Sequence, residues 1–538
     1  MRRLPLVIFV AAVVGVGVMP ASGFGRGPSP PPGPPSTSSP PVASPADPPS
    51  DFNGDGVDDL AVGVPREDVG GVKNQGAVNV LYSGSTGLAS EGNQLVYQDA
   101  RGVPDTGEPG DLLGFALAAG DFDGDLRGDL AIGLPYEDVG DVRSAGAVLV
   151  MYGSSGGLVR RGSQWWTQGA GGILDSPETG DQFGYALAAG DLDGDGRADL
   201  AIGSQREDLA GLANVGAVAV MYGSDTGLSA VGNQLWVQGA GGAPGVAEAR
   251  DQFGAALAVG DFDGDGRADL AAGARSEDVG LAVDAGAITV LSGSETGLTG
   301  SGTQWSQDDV NVADTAESGD EFGFTLATGD IGGDGADDLA VGVPGEDVGP
   351  IADAGAVAVL YGSPGGLSAA GNQVWHQEVS DVPGVAGNGD RLGKAMAIGD
   401  FDADGNDDLA AGARYHDVSG VRDAGVVNVL YGTADGLSTA RAQLWTQDMA
   451  GNPVEELDHF GSVLDAADLG AGPAEDLVIG AHFESWDTRR YAGAFHVLYG
   501  SSLAGLGSAA RQVWTQDSPG VLEVLDAYDY FPFALAAG

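Results

Sequence analysis

The 538-residue chain contains no cysteine. Disulfides, lipidated thiols and thiolate chemistry are therefore excluded, and burial or bound metal must hold the fold together. Histidine is nearly as scarce, with five in all and none in an HExxH pattern. No catalytic constellation is recognised, and the chain is not expected to be an enzyme. Beyond the N-terminal segment no apolar run is long enough to cross a bilayer, so no membrane insertion is expected. Positive charge is short as well: 23 Lys and Arg face 77 Asp and Glu, a net charge of −54. Such a field disfavours nucleic acid and anionic membrane surfaces and favours divalent cations.

The two ends differ in kind from the middle. MRRLPLVIFVAAVVGVGVMPASG has Arg2 and Arg3, an apolar run from Leu4 to Val18 and small residues at Ala21–Gly23. It reads as a secretory signal over 1–23, which places the protein outside the cell. Residues 24–50 are almost all Pro, Ser and Gly and are expected to form an extended linker. Residues 1–50 hold Arg2, Arg3, Arg26 and Asp47, a net +2, so residues 51–538 carry −56.

What fills 51–538 is a repeat. Acidic loops begin at 51, 121, 191, 261, 330, 400 and 468, spaced by 70, 70, 70, 69, 70 and 68 residues. In the third unit, DQFGYALAAGD (181–191) reads as a strand entering the loop and ADLAIG (198–203) as one leaving it. GAVAVMYG (216–223) and NQLWVQ (233–238) are two more, joined by a Gly-containing turn. One small sheet cannot bury both faces, so copies must stack, and a ring of four-stranded blades leaves only short edges. The first unit lacks the strand before its loop, and the last residues, DYFPFALAAG after Tyr528, supply one with no loop behind it. The reading is all-β: a seven-bladed propeller of four-stranded antiparallel blades, closed by the C-terminal strand pairing into the N-terminal blade.

In D-x-D-x-D-G-x-x-D, side-chain oxygens at positions 1, 3, 5 and 9 and the carbonyl at 7 converge, and that hard-oxygen set suits Ca²⁺. Five loops are full: Asp51, Asn53, Asp55, Val57, Asp59; Asp121, Asp123, Asp125, Arg127, Asp129; Asp191, Asp193, Asp195, Arg197, Asp199; Asp261, Asp263, Asp265, Arg267, Asp269; and Asp400, Asp402, Asp404, Asn406, Asp408. An EF-hand needs Glu at position 12, where Val62, Ile132, Ile202, Ala272 and Val341 stand inside apolar strands. About five Ca²⁺ sites follow. Leu126 replaces the turn glycine of the second loop, so strain is expected there. The loop 330–338 has Gly332 at position 3 and is not counted among the five. The loop 468–476 keeps Asp468 and Asp476 and is expected to be empty.

Phe-Gly before the loop (Phe183-Gly184, Phe253-Gly254, Phe322-Gly323, Phe460-Gly461) and Gly-x-Pro after it (Gly63–Pro65, Gly133–Pro135, Gly342–Pro344) resemble FG-GAP repeats. These build the seven-bladed propeller of integrin α-subunits and of secreted bacterial proteins. The resemblance implies calcium in the five full loops. Leu113 and Leu392 depart from the Phe, Pro532 from the Gly, and units three, four, six and seven lack the Pro.

Each fourth strand carries an aromatic: Tyr97, Trp166, Trp236, Trp305, Trp375, Trp445 and Trp514. Presence in every unit favours packing over sugar stacking, whereas Trp165 and Trp486 break the pattern and suit a binding surface better. Glu67-Asp68, Glu137-Asp138, Glu207-Asp208, Glu277-Asp278, Glu346-Asp347 and His416-Asp417 recur at the end opposite the acidic loops, as ligand groups or as Asx caps. Arg127-Gly128-Asp129 spells an adhesion tripeptide, but Asp129 is assigned to metal.

The expected function is an exported, monomeric, calcium-stabilised module that binds an extracellular glycan or protein, in adhesion broadly taken. The alternatives are a polysaccharide lyase-like enzyme, favoured by Arg or Lys beside a carboxylate in the central funnel, and a structural envelope component.

Overall fold

Each repeat folds into strands whose composition follows their depth. The second strands, such as Asp129–Leu134 and Asp199–Ser204, are buried throughout and read as unbroken apolar runs, as strands covered on both faces do. The fourth strands, such as Ser229–Trp236, are edges and mix exposed polar with half-buried residues. The first strands, ALAAG at Ala116–Gly120 and Ala186–Gly190, are built from small residues because seven of them converge at the centre.

The computed structural model describes residues 50–309, 312–470, 472–486, 489–502, 505–507, 511–522 and 526–537. The expected signal segment 1–23, the expected linker up to residue 49 and Gly538 lie outside these. Ser50 is buried, and its Oγ donates to the Ala537 carbonyl.

Seven four-stranded antiparallel sheets form, each in chain order except the first. Blade 1 takes its inner strand from Ala534–Ala536, which pairs with Leu60–Val64 through Ala61↔Ala536, Val62↔Leu535 and Gly63↔Ala534. Blades 2 to 7 begin at Ala116, Ala186, Ala256, Leu326, Ala395 and Phe460. Every inner strand touches the next, and Ala534–Ala536 touches those of both blade 2 and blade 7. The seven-bladed β-propeller is closed, by the strand the sequence assigned to that task.

The paired glycines of the motif have a packing cause. A Cβ on Gly133 would lie 2.2 Å from the Gly184 carbonyl oxygen of the next blade, and one on Gly203 2.1 Å from that of Gly254. The backbones of neighbouring blades therefore meet where a side chain cannot fit. Where Pro532 replaces the Gly, its Cγ lies 2.9 Å from the same construction on Gly480. Beside this contact the Phe rings are fully buried: Phe183, Phe253, Phe322, Phe460 and Phe531 are at 0% exposure, and Leu113 fills the same place.

Candidate metal centres and the central channel

The acidic loops hang between the first and second strands of each blade. In the second loop, Asp121 Oδ1 accepts the Gly124 and Asp125 N–H at 2.7 and 3.0 Å, and Oδ2 accepts the Leu126 N–H at 2.8 Å. Asp123 and Asp125 accept the N–H two residues on. Asp129 is fully buried, bonded by the Phe122 N–H at 2.9 Å and by Gly153 N–H, from the third strand's end, at 2.8 Å. The third loop repeats these bonds. The chain thus winds around its own carboxylates, and main-chain donors partly offset their repulsion.

Carboxylate oxygens approach within 4.8 Å of one another in four loops: Asp121, Asp123, Asp129; Asp191, Asp193, Asp199; Asp261, Asp263, Asp265; and Asp400, Asp402, Asp404. Burial foremost pushes Asp129, Asp199 and Asp408 up to about 8 and Asp269 to about 7, with neighbouring Asp charges adding. A cation at the cluster would remove that penalty. The position-7 carbonyls of Val57, Arg127, Arg197, Arg267 and Asn406 receive no backbone N–H among the described residues. The donor set, oxygens alone with a buried carboxylate at its floor, fits a hard cation of Ca²⁺ type.

The loops differ. In the first, the Asn53 Nδ2 faces Asp59 at 3.3 Å, so the amide must turn over to offer its oxygen, and Asp51, Asp55 and Asp59 form no cluster as close. In the second, Leu126 holds φ +66 and is 83% exposed, the strain expected of a side chain at the glycine position. In the sixth, Asp402 Oδ1 is buried without a partner, while its Oδ2 contacts Arg441. In the fifth, the Gly332 N–H bonds to Asp338 at 3.1 Å, and the seventh keeps Asp468 and Asp476.

Sequence spacing did not show that the loops are stitched together. The position-8 N–H of each donates to the position-1 carbonyl of the loop before: Gly128 to Asp51, Ala198 to Asp121, Ala268 to Asp191, Asp337 to Asp261, Asp407 to Asp330, Glu475 to Asp400 and Asp58 to Asp468, at 2.9–3.2 Å. The two loops poorest in ligands keep this ring of backbone bonds intact.

At the opposite end, the Asp of each Glu-Asp pair is an Asx cap: Asp138 Oδ1 accepts the Ser144 N–H at 2.8 Å and Asp208 the Asn214 N–H at 2.8 Å. The Glu joins blades. Gln98 Nε2 donates to Glu137 at 2.9 Å, Gln168 to Glu207 at 2.9 Å, Gln238 to Glu277 at 2.9 Å, Gln307 to Glu346 at 2.8 Å and Gln516 to Glu67 at 2.6 Å. Gln447 holds Glu484 likewise, and Glu484 also lies with Glu455 and Asp458 in a cluster. Only the sixth blade differs: His416 pairs with Asp390 at 2.7 Å and Gln377 donates to Asn428. The fourth-strand tryptophans pack in the blade cores, and those at 166, 236, 375, 445 and 514 donate to the Gln two residues earlier. Trp165 lines a 330 Å³ surface pocket with Asp105, Glu137 and Asp138. Trp486 is half-buried and bridges to Arg489. With Asp129 fully buried, the Arg-Gly-Asp tripeptide presents no free carboxylate.

The inner strands enclose a channel with unlike ends. At the acidic-loop end a 670 Å³ cavity is lined by Asp58, Asp330, Asp337, Asp407, Asp465 and Glu475. At the other, a 330 Å³ cavity is lined by Phe324, Lys394, Ser462 and Phe533 among small residues. The chain has two lysines, Lys73 and Lys394, and the sequence pattern alone gave no reason to single out the second.

Five segments match the FG-GAP repeat model: residues 49–81, 113–151, 183–221, 253–291 and 322–360, one in each of blades 1 to 5. The chain is similar to phosphatidylinositol-glycan-specific phospholipase D of Rattus norvegicus, 35% identical over 155 residues, 29% of this chain and 17% of that protein. It is also similar to integrin alpha pat-2 of Caenorhabditis briggsae, 32% identical over 260 residues, 46% of this chain and 19% of the relative. It therefore spans under a fifth of either relative. Among solved structures, a Bacillus licheniformis rhamnogalacturonan lyase aligns at 16% identity with a TM-score of 0.33, covering 74% of this chain and 72% of that one.

Proposed function

We propose that this chain, an FG-GAP repeat propeller of the integrin-α-like kind, is an exported calcium-binding module that holds a glycan or protein ligand outside the cell. One observation carries the reading: four loops bring three carboxylates each within 4.8 Å on a scaffold closed by backbone bonds. Asp121, Asp123 and Asp129; Asp191, Asp193 and Asp199; Asp261, Asp263 and Asp265; and Asp400, Asp402 and Asp404 would hold the ions. Their chemistry there is electrostatic, cancelling like-charge repulsion at the hairpin tips. The remaining residues hold the ligand-facing end rigid. The adhesion role and the secreted location are part of the proposal, supported by the kind of repeat and by a described structure in which no helix is long and apolar enough to cross a membrane.

The test is calorimetric. Calcium is expected to raise the melting temperature and chelator to lower it by several degrees, since extracellular modules bind with Kd of about 10⁻⁴–10⁻³ M. The same preparation is then screened against glycans and envelope fractions, with and without chelator. A melting temperature indifferent to chelator removes the calcium half of the proposal, and no binding in any fraction removes the other. A lyase-like activity is the second reading, favoured by Lys394 and the arginines near it at the funnel.

A further inference from the structure

The channel mouth away from the acidic loops is chemically unlike the rest of the molecule. Seven residues, each following the glycine of the Phe-Gly motif or Pro532 in its place, ring it: Phe115, Tyr185, Ala255, Phe324, Lys394, Ser462 and Phe533. On one side Phe533, Phe115 and Tyr185 form an aromatic arc, with Phe115 5.0 Å from each neighbour. On the other, three cations crowd together. Lys394 Nζ lies 4.8 Å from the Phe324 ring centre and 5.8 Å from that of Tyr415. Arg275 shares the Phe324 ring at 5.3 Å, and Arg414 lies over Tyr415 at 4.7 Å. Ala255 and Ser462 leave gaps between the two sides.

These cations are not neutralised. Among the described residues none of Lys394, Arg275 and Arg414 forms an ion pair, in a chain with 77 acidic residues. Arg275 is instead fixed by neutral amides, bonding Gln252 Oε1 at 2.7 Å and Gln205 Oε1 at 3.3 Å. Arg414 Nη2 donates to the Tyr415 hydroxyl at 2.7 Å, and its Nε is buried without a partner. Glu321 is the carboxylate nearby, and Arg391 lies 3.6 Å from Asp353. The groups around feel the surplus. Burial first, then Arg414, Arg391 and Arg275, bring Lys394 down to about 8. Burial with Arg414 and Lys394 takes His459 to about 4. The Nδ1 of His459, 95% buried, also lacks a partner. Holding like charges together costs free energy unless an anion is to be received there.

We infer that this mouth is a binding site for an acidic saccharide, taking its carboxylate on Lys394, Arg414 and Arg275 and its ring against the Phe533–Phe115–Tyr185 arc. A sugar ring offers C–H faces to aromatic side chains and hydroxyls to Gln252 and Ser462, and a carboxylate suits guanidinium and ammonium donors. An acidic peptide would satisfy the cations and leave the aromatic arc unused. The 330 Å³ cavity, lined by Phe533 at one end of the arc and by Phe324, Lys394 and Ser462, has the size of one such ring. The site deepens the proposed binding function and rests on it.

The experiment uses the full chain with calcium and titrates an oligosaccharide of uronic acid residues, its methyl-esterified neutral form and an acidic peptide. Lys394→Met is expected to weaken the uronide by about 10-fold to 100-fold at a melting temperature no lower than that of wild type. Ala255→Phe installs the residue blade 5 carries at that place and is expected to block the mouth to a similar degree. Added salt should weaken wild type far more than Lys394→Met. The inference is overturned if the ester or the peptide binds as tightly as the uronide, if neither variant changes affinity, or if no uronide binds. A glycan bound equally by wild type and both variants would overturn this site and leave the proposed binding function standing.

Discussion

At Asp402 two cations compete for one carboxylate. Its Oδ2 contacts Arg441, an arginine at a place where other blades carry Gly232 or Gly371, while Oδ1 stays buried and unpartnered. An ion entering Asp400, Asp402 and Asp404 must share them with that guanidinium, which is half exposed and so only partly screened. Arg441→Ala should therefore tighten calcium at the sixth loop a few-fold and leave the other loops unchanged, read as one shifted class of sites in a calcium titration. Losing the guanidinium from the Tyr431 face, 4.6 Å away, should cost under about 1 kcal/mol of stability. The ligands themselves were legible in the sequence, because position in a nine-residue loop fixes which oxygens converge. Arg441 was not: it reaches Asp402 from 39 residues away, and no local pattern encodes that contact.

Between blades, a tyrosine at the end of the third strand does the joining, and one interface lacks it. The hydroxyls of Tyr82, Tyr152, Tyr222, Tyr361, Tyr431 and Tyr499 each accept the N–H of a leucine in the next blade, at 3.0–3.2 Å. Blade 4 ends in Ser292. Across that junction Gly366 has nothing within 4 Å of a built Cβ, whereas at Gly157 and Gly227 the tyrosine oxygen would be 1.9 and 1.8 Å away. Trp305 Nε1 lies buried there without a partner. Ser292→Tyr should fill the space and raise stability by about 1–2 kcal/mol, seen as a higher melting temperature.

The glutamates of the opposite end carry a pH signature. Glu137 is 2% exposed beside Asp111 and Asp105, and burial first, then those charges, push it up to about 9. Its folded value lies above its unfolded one, so the folded state binds more protons between about 4.3 and 9, and stability falls as pH rises through that window. With calcium saturating, the melting temperature should drop from pH 5 to pH 8, and Glu137→Gln, which keeps an acceptor for Gln98, should shrink that drop by about 2 °C. The Glu-Asp pairs were visible as a repeat, and the Asx role of the Asp was among the readings. The interblade role of the Glu depended on Gln98 and its equivalents, 39 residues earlier, and needed the ring to be assembled first.

For the whole molecule, closure is a single equilibrium spread over unlike contacts. The junction of blades 7 and 1 has the hydroxyl bond from Leu88 N–H to Tyr499, the amide bond from Gln516 to Glu67 and the loop bond from Asp58 to Asp468, the same three kinds of bond that join blades 1 and 2. Only this blade adds a strand from the far end of the chain, and the sequence revealed it through a missing segment at one end and a surplus one at the other. Blade counting was thus legible, whereas the charge asymmetry of the channel was not, since Lys394 and Arg414 of blade 6 meet Arg275 of blade 4 only once the ring is assembled. The strand Ala534–Ala536 covers the inner edge of Leu60–Val64, and fully buried Phe531 packs with Phe495 of blade 7 at 5.4 Å. Removing residues 526–538 would expose that edge and empty the Phe site, leaving the inner strands of blades 2 and 7 without the one between them. Nearest-neighbour stability then loses two interfaces at once, because blade 1 can no longer present a complete face to either side. The truncated chain should lose cooperative thermal unfolding and associate through its open edge, observed by calorimetry and size-exclusion chromatography. Retention of a monomeric, cooperative transition would mean that the ring does not depend on its shared blade.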